Sequence, residues 1–362
     1  MSTRSNALFL AGVFFMFIPA GLLSDIPRLG VNGPLRLLAN AIFSGGVAVL
    51  YVAVLSRRPH WFAIPIAVQL LITVEFDRLF GAPGPPLTGS ALQARLAADV
   101  NVSTVAIIIS FVLLSNLIRS EGTRYGRVRA EMALARDIHR LLVPAIARQV
   151  EGFELRGVSL PSGDVGGDLI DFVETPQGWT SFVADVSGHG VAAGLLMGMV
   201  KSTARTLLRA GADLDRLQDS LNSVLFDLKS PAMFVTFAGV QVDRAAGLRF
   251  TVAGHLPILR VRAAAVEELT VPQIPLAMFE ERTFTSATLT CEPGDLLVIL
   301  TDGLTEVVDK RDSEFGLERI KSLVAPIARA PLDAIERRIL DEARAHGPQM
   351  DDQTLLLIRA VR

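Results

Sequence analysis

The sequence predicts an α+β domain preceded by an α-helical transmembrane region. The first observation is the distribution of charge, because 11 of the first 118 residues are Asp, Glu, Lys or Arg, against 61 of the remaining 244. The second is that strand-like and helical patterns in the C-terminal part occur in separate clusters, which favours α+β over alternating α/β. The chain therefore has one part suited to lipid and one suited to water.

Composition excludes several classes of function. The 362 residues are 50% hydrophobic and carry a net charge of −2, so we expect no nucleic-acid partner. Cys291 is the only cysteine in the sequence. A single cysteine excludes an internal disulfide framework and any cysteine-rich zinc or iron–sulfur site.

Four apolar runs predict about four membrane helices within residues 1–118. They cover residues 7–23, 37–55, 61–74 and 102–118. A helix needs about 20 apolar residues to cross the hydrocarbon core, so the short run with Pro65 and Gln69 has a re-entrant or interfacial helix as its alternative. The four runs contain no Asp, Glu, Lys, Arg or His, which argues against a transporter and favours a membrane anchor or a sensor.

Basic residues predict the orientation in the membrane. Arg57 and Arg58 lie in one short loop, and Arg119, Arg124, Arg127 and Arg129 follow the last run. Because cytoplasmic loops are enriched in Lys and Arg, we expect both regions in the cytoplasm. Four spans then leave both termini in the cytoplasm. The prediction is a multi-pass protein of the cell (inner) membrane with a cytoplasmic C-terminal domain.

A connector is predicted at residues 119–148, between the membrane region (1–118) and the C-terminal domain (149–362). From residue 125 to 142 a seam of residues recurs at heptad spacing, and Pro144 ends it. The seam consists of Tyr125, Val128, Met132, Ala135, His139 and Leu142. It predicts either a homodimeric coiled coil through residues 125–142 or a helix that packs on its own domain, and the two are compatible.

Residues 149–362 predict one domain of nine strands and four helices. The strand-like runs are 153–160, 168–173, 179–186, 234–242, 248–253, 258–261, 284–290, 296–300 and 354–361. The helical patterns are 190–210, 214–228, 318–327 and 332–345.

Acidic residues at the ends of these strands carry the chemistry. They are Asp168, Asp185, Asp302 and the pair Asp351 and Asp352. A carboxylate at the end of a buried strand is costly unless a cation or a donor compensates it. Four such elements in one domain predict a shared pocket for hard divalent cations, Mg²⁺ or Mn²⁺. Zinc is disfavoured, because His189 and His255 are the only histidines near these acidic motifs in the sequence, and neither has a cysteine partner.

Five motifs in order resemble the PPM-type metal-dependent serine/threonine phosphatases, above all the bacterial branch that acts on sigma-factor regulators in sporulation and general stress. They are Val-Gly-Gly-Asp (165–168), Asp-Val-Ser-Gly-His-Gly (185–190), Ala-Gly-His-Leu-Pro (253–257), Thr-Asp-Gly-Leu-Thr-Glu (301–306) and Asp-Asp-Gln-Thr (351–354). The helix at 135–144 is similar to the regulatory helix that precedes that domain. The resemblance covers residues 130–362 and not the membrane region.

The resemblance implies a PPM-type β-sandwich flanked by helices, with two Mn²⁺ or Mg²⁺ ions in a cleft at a sheet edge. The implied metal ligands are Asp185 bridging both ions, the backbone carbonyl of Val186, Asp168 on one ion, and Asp302 and Asp351 on the other. It favours Asp351 over Asp352 as the ligand. Asp185, Asp302 and His189 are the implied catalytic residues, and His189 either protonates the leaving oxygen or shapes its loop.

The chemistry of phosphate ester hydrolysis supports a two-metal site independently of the family resemblance. A phosphomonoester hydrolyses extremely slowly in water, and two cations about 3.5–4 Å apart can neutralise its charge and activate a water. The predicted function is a membrane-anchored phosphatase acting on phosphoserine or phosphothreonine of a cytoplasmic regulatory protein. By resemblance, the expected partner is a phosphorylated anti-sigma-factor antagonist of the STAS type.

Two alternatives stay open. Gly-Gly-Asp at 166–168 also occurs in membrane-anchored diguanylate cyclases, but that family needs a second acidic residue where this chain has Leu169, and it has no use for Asp302 or Asp351. The other alternative is a non-catalytic scaffold that binds a partner and keeps the carboxylates as vestiges.

Overall fold

The structure is a computed structural model of the chain, and it describes residues 3–23, 32–57, 59–80, 84–188 and 190–361. The chain divides into two compact units, Met1–Arg129 and Ala130–Arg362. The division falls inside one 54-residue helix, α4 (Gly89–Leu142).

The N-terminal unit is helical. Its other elements are α1 (Thr3–Leu22), α2 (Pro34–Arg57), a 3₁₀ turn (Pro59–Trp61) and α3 (Ala63–Phe80). Among the residues that the structure describes, three helical segments are long and apolar enough to cross a membrane: Arg4–Leu22, Pro34–Ser56 and Gly89–Thr123. Three of the four predicted runs fall on these segments. The run 61–74 falls on α3, whose apolar stretch Ala63–Phe76 is shorter, so the interfacial alternative stays open there.

Within its described residues, the C-terminal unit contains the end of α4, eleven strands and five further helices. The strands are β1 (Ile146–Val150), β2 (Phe153–Leu160), β3 (Leu169–Thr175), β4 (Gly178–Val186), β5 (Val235–Asp243), β6 (Gly247–Ala253), β7 (Ile258–Arg262), β8 (Ala265–Leu269), β9 (Ala287–Thr288), β10 (Leu296–Leu300) and β11 (Gln353–Ala360). The helices are α5 (Val191–Arg209), α6 (Leu214–Leu228), α7 (Asp302–Thr305), α8 (Leu317–Ile327) and α9 (Leu332–His346).

Two antiparallel sheets stack between two pairs of helices. One sheet has six strands in the order β1-β2-β11-β10-β7-β8, and the other has five in the order β3-β4-β5-β6-β9. Helix α5 packs on β3 and β4, whereas α9 packs on β2 and β11. The observed mixture of helices and antiparallel sheets confirms the predicted α+β class.

The central strands are buried on both faces, which explains their nearly unbroken apolar sequence. Successive side chains of a strand point to opposite faces. In β10, Leu297 and Ile299 join the core between the sheets and beneath α5 and α6, whereas Leu296, Val298 and Leu300 join the core beneath α8 and α9. These buried strands end at the acidic residues, so the apolar core fixes where the carboxylates lie.

The sequence analysis missed three short elements. Strands β1 and β8 lie at the two edges of the six-stranded sheet, and most of their residues are exposed or half-buried. Helix α7 is only four residues long. The run predicted as a strand at 284–290 forms only the two-residue β9. All nine predicted strands nevertheless correspond to observed strands.

The predicted connector seam packs against its own unit. His139 is buried, and Ala135, His139 and Leu142 line an apolar groove together with α5 residues such as Leu195. Arg136, beside the seam, pairs with Asp164 in the segment between β2 and β3. The side chains of Tyr125 and Val128 lie outside the described residues. Docking on the domain is therefore the interpretation that the observed packing favours for these three seam residues.

A second apolar stripe on α4 is exposed. Leu134, Ile138 and Leu141 follow one another at four- and three-residue spacing, so they share one helix face. Leu141 is 80% exposed and Ile138 is 49% exposed. Leu134 and Ile138 also line the apolar groove against α5, so this exposed stripe borders the docked seam and is not a separate face.

Candidate active site

The predicted acidic residues gather where two pairs of strands end. Leu169 of β3 pairs with Ala184 of β4, which sets Asp168 beside Asp185. Leu300 of β10 pairs with Leu355 of β11, so Asp302 and Asp351 follow and precede paired strands at the same end. The first pair belongs to the five-stranded sheet and the second to the six-stranded sheet. The candidate site therefore lies at one end of the sandwich, between its two sheets.

Asp168 is the most deeply buried of the candidate ligands. It is 2% exposed, and its Oδ2 accepts a hydrogen bond of 2.8 Å from the Thr301 hydroxyl. The Thr354 hydroxyl, which hydrogen-bonds to the Ser159 hydroxyl at 2.8 Å, also favours the ionised form of this carboxyl. Burial raises the pKa of Asp168 well above its ordinary value, and the Asp185 carboxylate raises it further. The Thr301 hydroxyl, which follows a strand of the opposite sheet, thus holds Asp168 in place.

Asp185 lies at the electrostatic centre of the group. Burial raises its pKa to about 7, and the carboxylates of Asp302 and Asp351 contribute to the rise. The pKa of Asp302 is raised as well, first by burial and then by Asp351. Carboxylates of both strand pairs therefore repel one another across the site, and only a positive charge among them would keep all of them ionised at neutral pH.

The backbone of Val186 approaches the segment before Asp168 closely. Its N–H donates to the Gly167 carbonyl at 3.4 Å. A Cβ atom added to Gly167 would lie 2.6 Å from the Val186 carbonyl oxygen, so this position requires glycine for space. The predicted carbonyl ligand therefore lies against the glycine pair of the first motif, beside Asp168.

The two neighbours Asp351 and Asp352 have different surroundings. Asp351 is exposed, and its Oδ1 accepts a 2.8 Å hydrogen bond from the Asp352 N–H. Asp352 is buried, and its carboxylate accepts hydrogen bonds from Ser162 and Gly167. The Asp351 carboxylate is thus the more accessible of the two, in line with the predicted choice of ligand.

The predicted catalytic residue His189 lies outside the described residues. The other histidine of the motifs, His255, has its Nδ1 3.0 Å from the Leu256 carbonyl. Its Nε2 is buried and has no partner among the described residues. Burial lowers the pKa of His255 to about 4, which keeps the imidazole neutral. These contacts favour a structural role for His255.

Sequence reasoning missed the polar residues that support the ligands. Thr301, Thr354 and Ser162 all belong to the hydrogen-bonded group around Asp168 and Asp352. The signal was available for Thr301, because a hydroxyl at the end of the wholly apolar strand β10 needs a partner when it is buried.

Glu306 is a further acidic group near the site. Burial, Asp302, Glu314 and Asp351 together raise the pKa of Glu306, with burial contributing most. Its side chain is nevertheless exposed at the surface of the unit.

The donor chemistry fits hard divalent cations. All candidate ligands are carboxylate or carbonyl oxygens, which Mg²⁺ and Mn²⁺ prefer. Among the side chains that the structure describes, no group of three or more His, Cys, Asp and Glu is already arranged to hold a metal ion.

Comparison with known proteins identifies the family. The profile of stage II sporulation protein E (SpoIIE) matches residues 175–361, which is more than half of the chain. The chain belongs to the SpoIIE family. The matched range contains Asp185, Val186, Asp302 and Asp351, whereas Asp168 lies just upstream of it. The predicted resemblance to bacterial PPM-type phosphatases is thereby confirmed.

Individual relatives of this SpoIIE-family chain agree with the fold. The phosphoserine phosphatase RsbU of Bacillus subtilis is 25% identical over 183 residues, which is 49% of this chain and 54% of that protein. The SiaA-PP2C domain of Pseudomonas aeruginosa has a TM-score of 0.56 at 21% identity, covering 66% of this chain and 98% of the domain.

A structure of RsbU and RsbW domains from Mycobacterium tuberculosis has a TM-score of 0.51 at 24% identity, covering 61% of this chain and 63% of that structure. Both structural matches show that the C-terminal unit has a PP2C-type fold. The chain spans about half the length of the curated relatives it matches.

Proposed function

We propose that this protein is a metal-dependent phosphatase that hydrolyses phosphoserine or phosphothreonine on a cytoplasmic regulatory protein. The observation that carries the proposal is the convergence of carboxylates from both sheets at one end of the sandwich, in a chain of the SpoIIE family. The name of the RsbU relative, a phosphoserine phosphatase, supports the choice of substrate chemistry.

We propose that Asp168, Asp185, Asp302, Asp351 and the Val186 carbonyl hold two ions, Mn²⁺ or Mg²⁺. When bound, the ions supply positive charge against the phosphoryl oxygens and a water of lowered pKa. The chain's own part is to hold the carboxylates ionised and in position: Thr301 orients Asp168, and the buried strands fix Asp185 and Asp302. His189 is proposed to donate a proton to the leaving serine or threonine oxygen.

Asp185→Asn tests the proposal, because it removes the charge that faces Asp168 of its own strand pair and both Asp302 and Asp351 of the other pair. The assay is Mn²⁺-dependent hydrolysis of a phosphoserine peptide by the full chain in detergent, with bound metal measured in parallel. We expect turnover to fall at least about a hundredfold together with the metal content. Asp341→Asn is the matched control, because Asp341 is exposed and pairs only with Arg344 among the described residues.

Wild-type turnover in the Asp185→Asn protein would overturn the assignment of the site. A wild-type protein that hydrolyses no phosphopeptide, despite binding Mn²⁺, would favour the scaffold alternative. Family membership gives the diguanylate cyclase alternative no support.

The substrate is proposed to be a phosphorylated anti-sigma-factor antagonist of the STAS type. The similarity to RsbU, and to a structure that joins RsbU and RsbW domains, supports a role among such regulators. We further propose that the three apolar helical segments anchor the protein in the cell membrane as a multi-pass protein. The arginines at 57–58 and after residue 118 support a cytoplasmic phosphatase unit.

We also propose a homodimer through residues 125–142. The stripe of Leu134, Ile138 and Leu141 supports it, because these side chains are exposed, two of them at the groove that α4 forms with α5. Two copies held in one membrane meet at a high effective concentration, so a short apolar contact suffices.

A further inference from the structure

We infer that Asp352 is a positioning residue that holds the metal ligand Asp168 in place, and is not itself a ligand. The inference rests on the proposed function only in treating Asp168 as a ligand. Asp352 precedes β11 in the six-stranded sheet, whereas Asp168 precedes β3 in the five-stranded sheet. The eight residues 161–168, here called the β2–β3 turn, cross from one sheet to the other.

The Asp352 carboxylate binds both ends of the β2–β3 turn. Its Oδ1 accepts hydrogen bonds from the Ser162 N–H at 2.7 Å and from the Ser162 hydroxyl at 3.1 Å. Its Oδ2 accepts from the Gly167 N–H at 2.7 Å and, more distantly, from the Asp168 N–H at 3.5 Å. One side chain, 6% exposed, thus holds the start of the turn and the backbone of the candidate ligand.

These contacts occupy the oxygens of Asp352. Two close backbone donors, a hydroxyl and the more distant Asp168 N–H together face the four lone-pair sites of the carboxylate, which a metal ion would otherwise use. The neighbouring Asp351 carboxylate is exposed and accepts one hydrogen bond, from the Asp352 N–H. The adjacent residues therefore divide the work: Asp351 is free to ligate, and Asp352 fixes the turn.

The glycine pair of the first motif fits the same arrangement. A Cβ atom on Gly166 would lie 2.3 Å from Asp352 Oδ2, closer than any real contact, whereas Gly167 makes room for the Val186 carbonyl. Each glycine thus accommodates one oxygen. Gly163 in the same turn has open space around its Cβ position, so it offers a neutral comparison.

The test uses three variants of the full chain in detergent: Asp352→Asn, Gly166→Ala and Gly163→Ala. Asp352→Asn places an amide N–H₂ against a backbone donor, and Gly166→Ala displaces the carboxylate without changing any charge. We measure Mn²⁺ affinity by calorimetry, thermal unfolding by circular dichroism, and phosphopeptide turnover against Mn²⁺ concentration.

Loss of a group that orients a ligand typically weakens metal binding about 10–100-fold. We expect this loss in Asp352→Asn and in Gly166→Ala, with turnover at saturating Mn²⁺ restored to within about threefold of wild type. The double variant should bind Mn²⁺ no more weakly than whichever single variant has the lower affinity, because both changes remove the same contact. Gly163→Ala should bind Mn²⁺ as wild type does.

Wild-type Mn²⁺ affinity in Gly166→Ala and in folded Asp352→Asn would overturn the inference. If Asp352→Asn fails to fold, Gly166→Ala alone decides. A lower melting temperature with unchanged Mn²⁺ affinity would mean a merely structural role and would also overturn it. Failure of the proposed function is distinguishable, because a protein that binds Mn²⁺ but hydrolyses no phosphopeptide leaves the affinity comparison intact.

Discussion

Replacing Thr301 with valine should loosen the junction between the two sheets. Thr301 directly follows β10 and is 1% exposed. Its hydroxyl donates to Asp168 Oδ2 at 2.8 Å and accepts the Thr354 N–H at 3.0 Å. Valine has nearly the same shape but no hydroxyl, so the substitution removes both hydrogen bonds and leaves the packing largely unchanged.

The expected decrease in the free energy of unfolding can be estimated from these two hydrogen bonds. In the presence of Mn²⁺, which would keep Asp168 ionised, the hydrogen bond to this carboxylate contributes about 1.5–3 kcal/mol, and a buried N–H left without an acceptor costs about 1–3 kcal/mol. The free energy of unfolding should therefore fall by about 3–5 kcal/mol. Thr301→Ser keeps the hydroxyl and loses one buried methyl group, which costs only about 1 kcal/mol. The difference between the two variants isolates the hydroxyl.

Urea unfolding of the full chain in detergent measures this difference. The buried Trp179 reports on the C-terminal unit, and a Trp61→Phe background removes the other tryptophan. Mn²⁺ affinity should fall in the valine variant as well, since Thr301 lowers the pKa of Asp168 and thereby favours the ionised ligand. If valine destabilises no more than serine does, the hydroxyl does not join the two sheets and the reasoning is wrong.

Two further predictions concern other parts of the C-terminal unit. Because burial lowers the pKa of His255 to about 4, its contribution to stability is complete above about pH 6.5 and is lost as the pH falls toward 4. Between about pH 7.5 and pH 4.5, the free energy of unfolding should fall about 2–3 kcal/mol more in wild type than in His255→Gln, and equal pH dependence would contradict the assignment. Ile138→Asp should weaken self-association about tenfold or more with an unchanged melting temperature, measured by light scattering in detergent. Leu228→Asp, at an exposed site on α6, is its control, and an undiminished dimer in Ile138→Asp would exclude this stripe as the interface.

The sequence was sufficient for elements whose burial leaves a clear pattern. The strand Leu296–Leu300 is apolar throughout because both of its faces are covered, and its position follows from that run alone. Strands Ile146–Val150 and Ala265–Leu269 lie at sheet edges, where exposed polar residues are tolerated and the alternation disappears. These edge strands form because they pair with a neighbouring strand, and the periodicity of the sequence does not reveal that pairing.

The candidate site was predictable in its residue types more than in its contacts. Asp168, Asp185, Asp302 and Asp351 could be named because acidic residues at the ends of apolar strands are unusual. Thr301 is far in sequence from its partner Asp168, and Ser162 is far from its partner Asp352, so no spacing rule links either pair. The seam on α4 shows the same limit, since heptad spacing does not indicate which surface the helix face meets.

The β2–β3 turn has a consequence for how the protein loses activity. Asp168 is carried by one layer of the sandwich, while the hydroxyls and the carboxylate that orient it are carried by the other. Separation of the two layers and dispersal of the proposed ligands are therefore expected to be a single event. Heat or denaturant that opens the interior should abolish turnover at the same midpoint as it unfolds the domain, without an intermediate that is folded yet unable to bind metal.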